Sequence, residues 1–203
     1  IRGRETALQF QWSNVIQQLE GYLYDLVSKE NKRQRAEKKI KRKKKRVALI
    51  YTNLSGSNTI AMYKLGPKNI KDKFDIQLVP GDLSNTSKSA ILNSDIAIFT
   101  EGNYPFKSKN SNKLPVVIDL WHGFPLKAMG FADRGEKFKH LINEIWDNID
   151  YLTSYSSFFN EIMNKCISID MSKYVITGAQ RNDFLFSSNG KKNLAYLLDD
   201  KLL

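Results

Sequence analysis

From Arg46 onward the apolar residues fall into short runs separated by polar, turn-forming stretches. Arg46 to Thr52, Phe74 to Val79, Asp95 to Thr100, Val116 to Leu120, Tyr151 to Tyr155 and Tyr174 to Thr177 are rich in Val, Ile, Leu and Tyr, which predicts buried strands. Between them, Thr59 to Leu65, Asn85 to Leu92, Gly135 to Trp146 and Ser156 to Ile167 carry helical spacing. Glu101 to Leu114 is polar and rich in Asn and Lys, so a surface loop is expected there. Short apolar strands alternating with helices predict an α/β domain: a Rossmann-like, doubly wound parallel sheet of about six strands, covered on both faces.

Ahead of this domain lies a limb of different character. Leu8, Trp12, Val15, Leu19, Tyr22 and Leu26 recur at alternating steps of four and three, one stripe of an amphipathic helix. Docking of that stripe onto its own domain or a partner helix is the first expectation, and shallow membrane attachment through the aromatic residues the second. Lys32 to Arg46 then carries eleven basic residues against the single acid Glu37. As a charge run it reads first as a solvated linker and second as a contact for an anionic lipid surface. Nucleic acid ranks well below both, because no aromatic residue interleaves the run to stack on bases. The expected division is a limb over 1–45, the Rossmann-like domain over 46–189, and the start of an interdomain helix over 190–203.

Charge follows the same division. The net charge is +11, but residues 1–46 alone hold 14 Lys and Arg against 5 Asp and Glu, so the domain itself is nearly neutral. That argues against a domain built to bind polyanions over its whole surface. With 41% apolar residues the chain can fill a core. No uninterrupted apolar run is long enough to cross a membrane, and no signal peptide is visible. The single Cys166 can form no internal disulfide, which fits a reducing setting. The chain begins with Ile, and a fragment of a longer protein is the expectation.

The candidate chemistry gathers at the predicted carboxyl ends of the strands, where open α/β sheets bind ligands. The run Val116 to Leu120 stops at Trp121, His122 and Gly123, and Pro125 blocks further pairing. His122 is thus placed at the sheet's rim, with Gly123 expected to turn the backbone there and Trp121 to wall it. A half-buried histidine closing a strand is the bland alternative. Ser55, Gly56 and Asn58 lie in a turn between a strand and a helix, where backbone N–H groups can receive an anion, although the phosphate-loop spacing is absent. Gly178 turns the chain after the last strand, and Asn182 or Asp183 can cap a helix starting near Phe184. Arg181, one of two arginines after residue 46, suits a phosphate through its planar fork. His140 lies mid-helix and reads as structural; no His, Cys or carboxylate spacing points to a metal.

Trp121 to Lys127, reading Trp-His-Gly-Phe-Pro-Leu-Lys, followed by Gly178 to Asp183, reading Gly-Ala-Gln-Arg-Asn-Asp, resembles the CDP-glycerol glycerophosphotransferase family of teichoic-acid and capsule polymerases. Its members typically read Trp-His-Gly-Thr-Pro-Leu-Lys and then Gly-x-Pro-Arg-Asn-Asp. The stretches Thr153 to Ser157 and Ser55 to Asn58 are similar more loosely. Phe124 in place of Thr, and Ala179 with Gln180 in place of the residue before Pro and Pro itself, are the departures; they bear on the acceptor more than on the fold. The resemblance implies one half of a GT-B arrangement, the acceptor side, with a C-terminal donor-binding domain following.

It further implies transfer of an alditol phosphate from CDP-glycerol or CDP-ribitol, as co-substrate of the full enzyme, to a phosphate-bearing polymer, with no cofactor in this segment and no metal. The acceptor hydroxyl must lose a proton, and histidine is the side chain whose ordinary titration lies nearest neutrality. On that resemblance His122 is the general base, Arg181 holds a phosphate, and Asp183 orients Arg181 or caps the helix. Lys127, Gly123 and the Ser55, Gly56 and Asn58 turn are further substrate contacts. A cytoplasmic enzyme, peripheral on the inner membrane face, is the expected location. A GT-B glycosyltransferase using a nucleotide sugar is the first alternative, and a non-enzymatic adaptor tethered to membrane or nucleic acid the second.

Overall fold

The computed structural model describes residues 17–23, 44–52, 57–100 and 114–186 of the 203. Ser55, Gly56, the Glu101 to Lys113 part of the expected loop and the interdomain helix over 190–203 lie outside the described residues. Six strands run in the order expected from the apolar runs: β1 (Lys45–Tyr51), β2 (Phe74–Pro80), β3 (Ile96–Phe99), β4 (Val116–Asp119), β5 (Tyr151–Ser154) and β6 (Tyr174–Ile176). All five neighbouring pairs are parallel, in the order β2-β1-β3-β4-β5-β6. The chain winds outward from β1 to β2 and then returns to the other side of β1, so the topological switch lies between β1 and β3.

Both sheet faces are covered, which is why the inner strands β1, β3 and β4 are largely continuous apolar runs, whereas the edge strand β2 alternates with exposed Asp75 and Gln77. Ala48, Ile50, Val79 and Phe99 point to one face. There they meet α3 (Asn85–Leu92), α4 (Lys139–Trp146) and α5 (Ser157–Ile167) through Ile91, Trp146, Phe159 and Met163. Val47, Leu49, Ile96, Ile98 and Ile118 point to the other. That face is covered by α1 (Asn58–Leu65) and the short α2 (Lys68–Lys73), which the sequence pattern had not suggested. Cys166 is buried on the α5 face, and burial raises its thiol, so it is a packing residue. Gly130 has φ +54, and a Cβ there would come within 2.2 Å of the Cys166 carbonyl oxygen, which fixes the approach of the Gly130–Ala132 turn to α5.

Residues 17–23 of the limb are helical and dock on the domain. Leu19 and Leu23 are buried against Val47, Leu49, Ile70 and Phe74, and Glu20 pairs with Lys73. Leu23, not Tyr22, continues the buried stripe; Tyr22 is 48% exposed, with its ring 6.3 Å from that of Tyr151. Of the two forms of docking expected for the stripe, own domain or partner helix, this segment takes the first.

Two helices begin differently from the sequence expectation. α4 starts at Lys139 rather than near Gly135, because Asp133 and Glu136 side chains accept from the Gly135 and Phe138 N–H groups and hold that stretch in turns. Gln180–Phe186 is a 3-10 helix, so Asn182 and Asp183 sit inside it rather than capping a helix at Phe184. The Asn182 N–H already donates to the Ala179 carbonyl.

Candidate active site

The rim is built outward from Asp119. This residue ends β4 with its side chain wholly buried, and its Oδ1 accepts from the Trp121 N–H at 2.7 Å. The bond folds the chain back and places Trp121 at φ +52, a left-handed conformation that a bulky residue adopts at a cost of about 1–2 kcal/mol. The residue that turns the backbone is therefore Trp121, not Gly123 as expected from the sequence. Three contacts hold it. Asn58 Nδ2 donates to the Trp121 carbonyl at 2.6 Å, the indole packs on Trp146 with centroids 5.6 Å apart, and Thr153 Oγ1 holds the preceding Leu120 carbonyl at 3.0 Å.

The strained turn projects His122 outward. Its ring is exposed, lies on the Trp121 indole with centroids 4.2 Å apart, and sets Nδ1 3.3 Å from the Thr100 carbonyl oxygen at the end of β3. A carbonyl can only accept, so this contact requires a proton on Nδ1 and leaves the lone pair of the neutral ring on Nε2. In that tautomer Nε2 is the ring atom able to accept a proton.

Arg181 reaches the same point from β6. Its guanidinium donates to the carbonyl of His122, and its backbone N–H donates to Asn58 Oδ1 at 3.1 Å. Asn58 thus joins the turn after β4 to the 3-10 helix after β6 by one side-chain amide. It is fully buried with both amide ends engaged, so it serves the frame rather than a ligand. Gly123 lies beside Arg181, 3.8 Å from one guanidinium nitrogen to where its Cβ would stand. Lys127 is exposed farther along the loop. His122, Gly123 and Arg181 are brought together; Lys127 is not in contact with them, and His140 sits exposed on α4 beside Phe138.

Asp183 lies inside the 3-10 helix rather than capping a helix at Phe184. Its Oδ2 is buried without a hydrogen-bond partner among the described residues, and burial raises the carboxyl from 3.8 to about 6. Other polar atoms at the carboxyl ends of β4 to β6 share that condition: Trp121 Nε1, Ser154 Oγ, Tyr155 OH and both amide atoms of Gln180. Burial raises the Tyr155 phenol, while the Arg181 charge works the other way. Of the serine-rich stretch, Ser156 caps α5 by accepting from the Phe159 N–H at 3.1 Å. Phe124 stacks on Phe158, with centroids 6.0 Å apart and planes 17° apart, and both rings stay partly exposed beside the rim.

Asn58 was expected as an anion contact; its bridge, the bond between His122 and the Thr100 carbonyl, and the Phe124–Phe158 pair are contacts the sequence did not show. Only Asp119 left a signal, as a lone acid inside an apolar strand. Among the described residues no group of three or more His, Cys, Asp or Glu could hold a metal ion.

Comparison with known proteins bears on this geometry. No curated protein matches the chain. Solved structures of the wall teichoic acid polymerase TagF share its fold. A histidine-to-asparagine variant soaked with CDPG for 30 minutes gives a TM-score of 0.60 at 19% identity, over 95% of this chain and 52% of that one. The same variant without the soak gives 0.55 at 21% identity, over 95% and 50%. A further TagF structure gives 0.54 at 19% identity, over 93% and 50%. The chain therefore spans about half the length of the structures it matches. The model of the family described as CDP-Glycerol:Poly(glycerophosphate) glycerophosphotransferase matches residues 79–202, well over half the chain and including His122 and Arg181. The chain belongs to that glycerophosphotransferase family.

Proposed function

We propose that this chain is the acceptor-side part of an enzyme that moves glycerol phosphate, or a related alditol phosphate, from a CDP-linked donor to a phosphate-bearing polymer such as teichoic acid or capsule. The carrying observation is the pairing at the rim: an exposed imidazole oriented through Nδ1, tied to an arginine through its own carbonyl. In the reaction, His122 Nε2 takes the proton of the acceptor hydroxyl as that oxygen bonds to the alditol-bearing phosphorus. The phosphoanhydride bond to the other phosphorus breaks, and CMP leaves with the bonding electrons. Arg181 brings positive charge to the phosphate before and during transfer, and such positioning and charge stabilisation carry most phosphoryl-transfer catalysis.

Family membership and the TagF-like fold support the reading. The donor-binding half, the alditol and the acceptor are part of the proposal, as is a place against the cytoplasmic face of an anionic membrane, which the basic segment over 32–46 favours. Donor competition on the complete enzyme tests it. CDP-glycerol or CDP-ribitol should support transfer and compete with each other, and UDP-sugars should do neither. Turnover with a UDP-sugar alone would replace this reading by a nucleotide-sugar glycosyltransferase.

A further inference from the structure

We propose a second ligand site, at the outer edge of the sheet and away from the His122 rim: the groove between α3 and strands β1 and β2 binds a hydroxyl-bearing phosphate ester, with Arg46 as its cation. The inference does not rest on the function proposed above. The groove is an open pocket of ≈ 580 Å³ lined by Arg46, Gln77, Asn85, Thr86, Ser89 and Asn93, with Ala90. Arg46 enters near the start of β1, whereas His122 follows the end of β4.

Three observations carry it. First, part of the Arg46 guanidinium is unmatched among the described residues. The Arg46 backbone is fully used: the N–H donates to Asp95 Oδ2 at 2.8 Å and the carbonyl accepts from the Asp95 N–H at 2.9 Å. Its guanidinium Nε is buried with no partner. A buried donor left unmade is costly, and one on a charged group more so.

Second, the groove offers neutral hydrogen-bonding side chains and no carboxylate. Asn85, Ser89 and Asn93 are spaced at four along α3, so the helix turns one polar stripe toward the groove while Ile91 and Ser87 are buried. Asn93 is partly committed, donating to the Ser89 carbonyl and Oγ. Gln77, Asn85 and Thr86 supply both donors and acceptors, which suits hydroxyl groups beside a phosphate. One fork-shaped cation among neutral amides suits a phosphate ester; an apolar or cationic ligand would leave these groups unmatched.

Third, the sequence that leads into β1 is basic. The basic segment of residues 32–46 ends at Arg46 itself. Two acids oppose it: Asp75, the register partner of Arg46 on β2, which is exposed, and Asp95, whose carboxylate accepts from the Arg46 N–H. Asp75 weakens anion binding, so its removal strengthens it.

Such an ester occurs in a glycerol phosphate polymer and in a glycerophospholipid headgroup, and the test separates the sources. The full chain is titrated with glycerol 3-phosphate by NMR, following the Asn85, Thr86 and Ser89 amides, in wild type, Arg46→Met, Arg46→Lys, Asp75→Asn and Arg181→Met. Wild type should show saturable shifts at these amides. Arg46→Met should weaken them roughly tenfold or more, and Arg46→Lys should fall between, having charge without the fork. Asp75→Asn should tighten binding, and Arg181→Met should leave these amides unchanged while altering any response at the His122 rim.

Arg46→Lys and Asp75→Asn keep the test decisive should Arg46→Met not fold. Phosphatidylglycerol vesicles set against phosphatidylcholine vesicles, and a soluble glycerol phosphate oligomer, then assign the source by which one loses binding in the Arg46 variants. No shift at these amides, shifts equal in the Arg46 variants, or no binding of either vesicle or oligomer that depends on Arg46 would overturn the proposal. A rim response lost with Arg181 alone would instead bear on the proposed function.

Discussion

The two ends of the sheet are built by opposite rules. At the amino ends, acids just ahead of two strands pin their neighbours. Asp95 precedes β3 and accepts from the Arg46 N–H at 2.8 Å; Asp150 precedes β5 and accepts from the Val117 N–H at 2.8 Å. Each also returns its own N–H to the carbonyl of the residue it pins. Both close the same short phrase, Asn93-Ser94-Asp95 and Asn148-Ile149-Asp150. At the carboxyl ends the chain carries a left-handed tryptophan and a set of buried polar atoms without partners, among them Ser154 Oγ, Gln180 and Asp183 Oδ2. Backbone strain and unmatched polar groups collect where a ligand is handled, because elsewhere nothing offsets their cost. Within the described residues two features at the amino end fall outside this rule: Ser168, left-handed at φ +53 where α5 ends, and the Arg46 guanidinium, which is the unmatched polar group that singles out its groove.

The contrast can be broken most severely at Asn58. Asn58→Ala removes the bridge and leaves the Trp121 carbonyl and the Arg181 N–H buried without partners, so unfolding free energy should fall by about 2–4 kcal/mol. Urea denaturation reads this as a lower midpoint at unchanged slope. A loss no larger than that of an exposed Asn→Ala change would show that the turn supports itself.

Asp183 gives a smaller effect with a definite sign. Its carboxyl is held at about 6 in the fold against 3.8 ordinarily, by burial. An acid raised on folding contributes full stability below 3.8 and loses it as pH rises through about 6, because the unfolded chain ionises first. Asp183→Asn should therefore match wild type at the acid end and melt higher than it above pH 6. Melting curves that stay parallel across that range would remove the burial argument.

Gln180→Met should change least, from neutral to a gain of about 1 kcal/mol, since an apolar side chain replaces an amide with neither end bonded. A clear loss of stability would mean that the amide is matched in solution.

How much of this was legible in the sequence follows from the range of each interaction. The strands were legible because burial on both faces writes itself as continuous apolar runs, as from Val47 to Ile50. His122 and Arg181 were legible because a strand end and the short motif after it are local. The Asn58 bridge joins residues 63 and 123 positions away, and no local pattern encodes it. The left-handed residue was misplaced because glycine is the default there, whereas a buried aspartate at 119 and an amide from α1 together hold a tryptophan in it. The limb stripe slipped from Tyr22 to Leu23 because steps of three and four both fit one turn, and only the surface it meets decides between them.

The central claim is that the imidazole at the rim accepts the acceptor's proton while contributing little to holding the donor. It is tested most directly by His122→Ala in the complete enzyme, with turnover and CDP-glycerol affinity measured on the same preparation. Turnover should fall by about 10²–10⁴ with donor affinity nearly unchanged. Turnover within a fewfold of wild type, or a loss confined to donor affinity, would contradict the account.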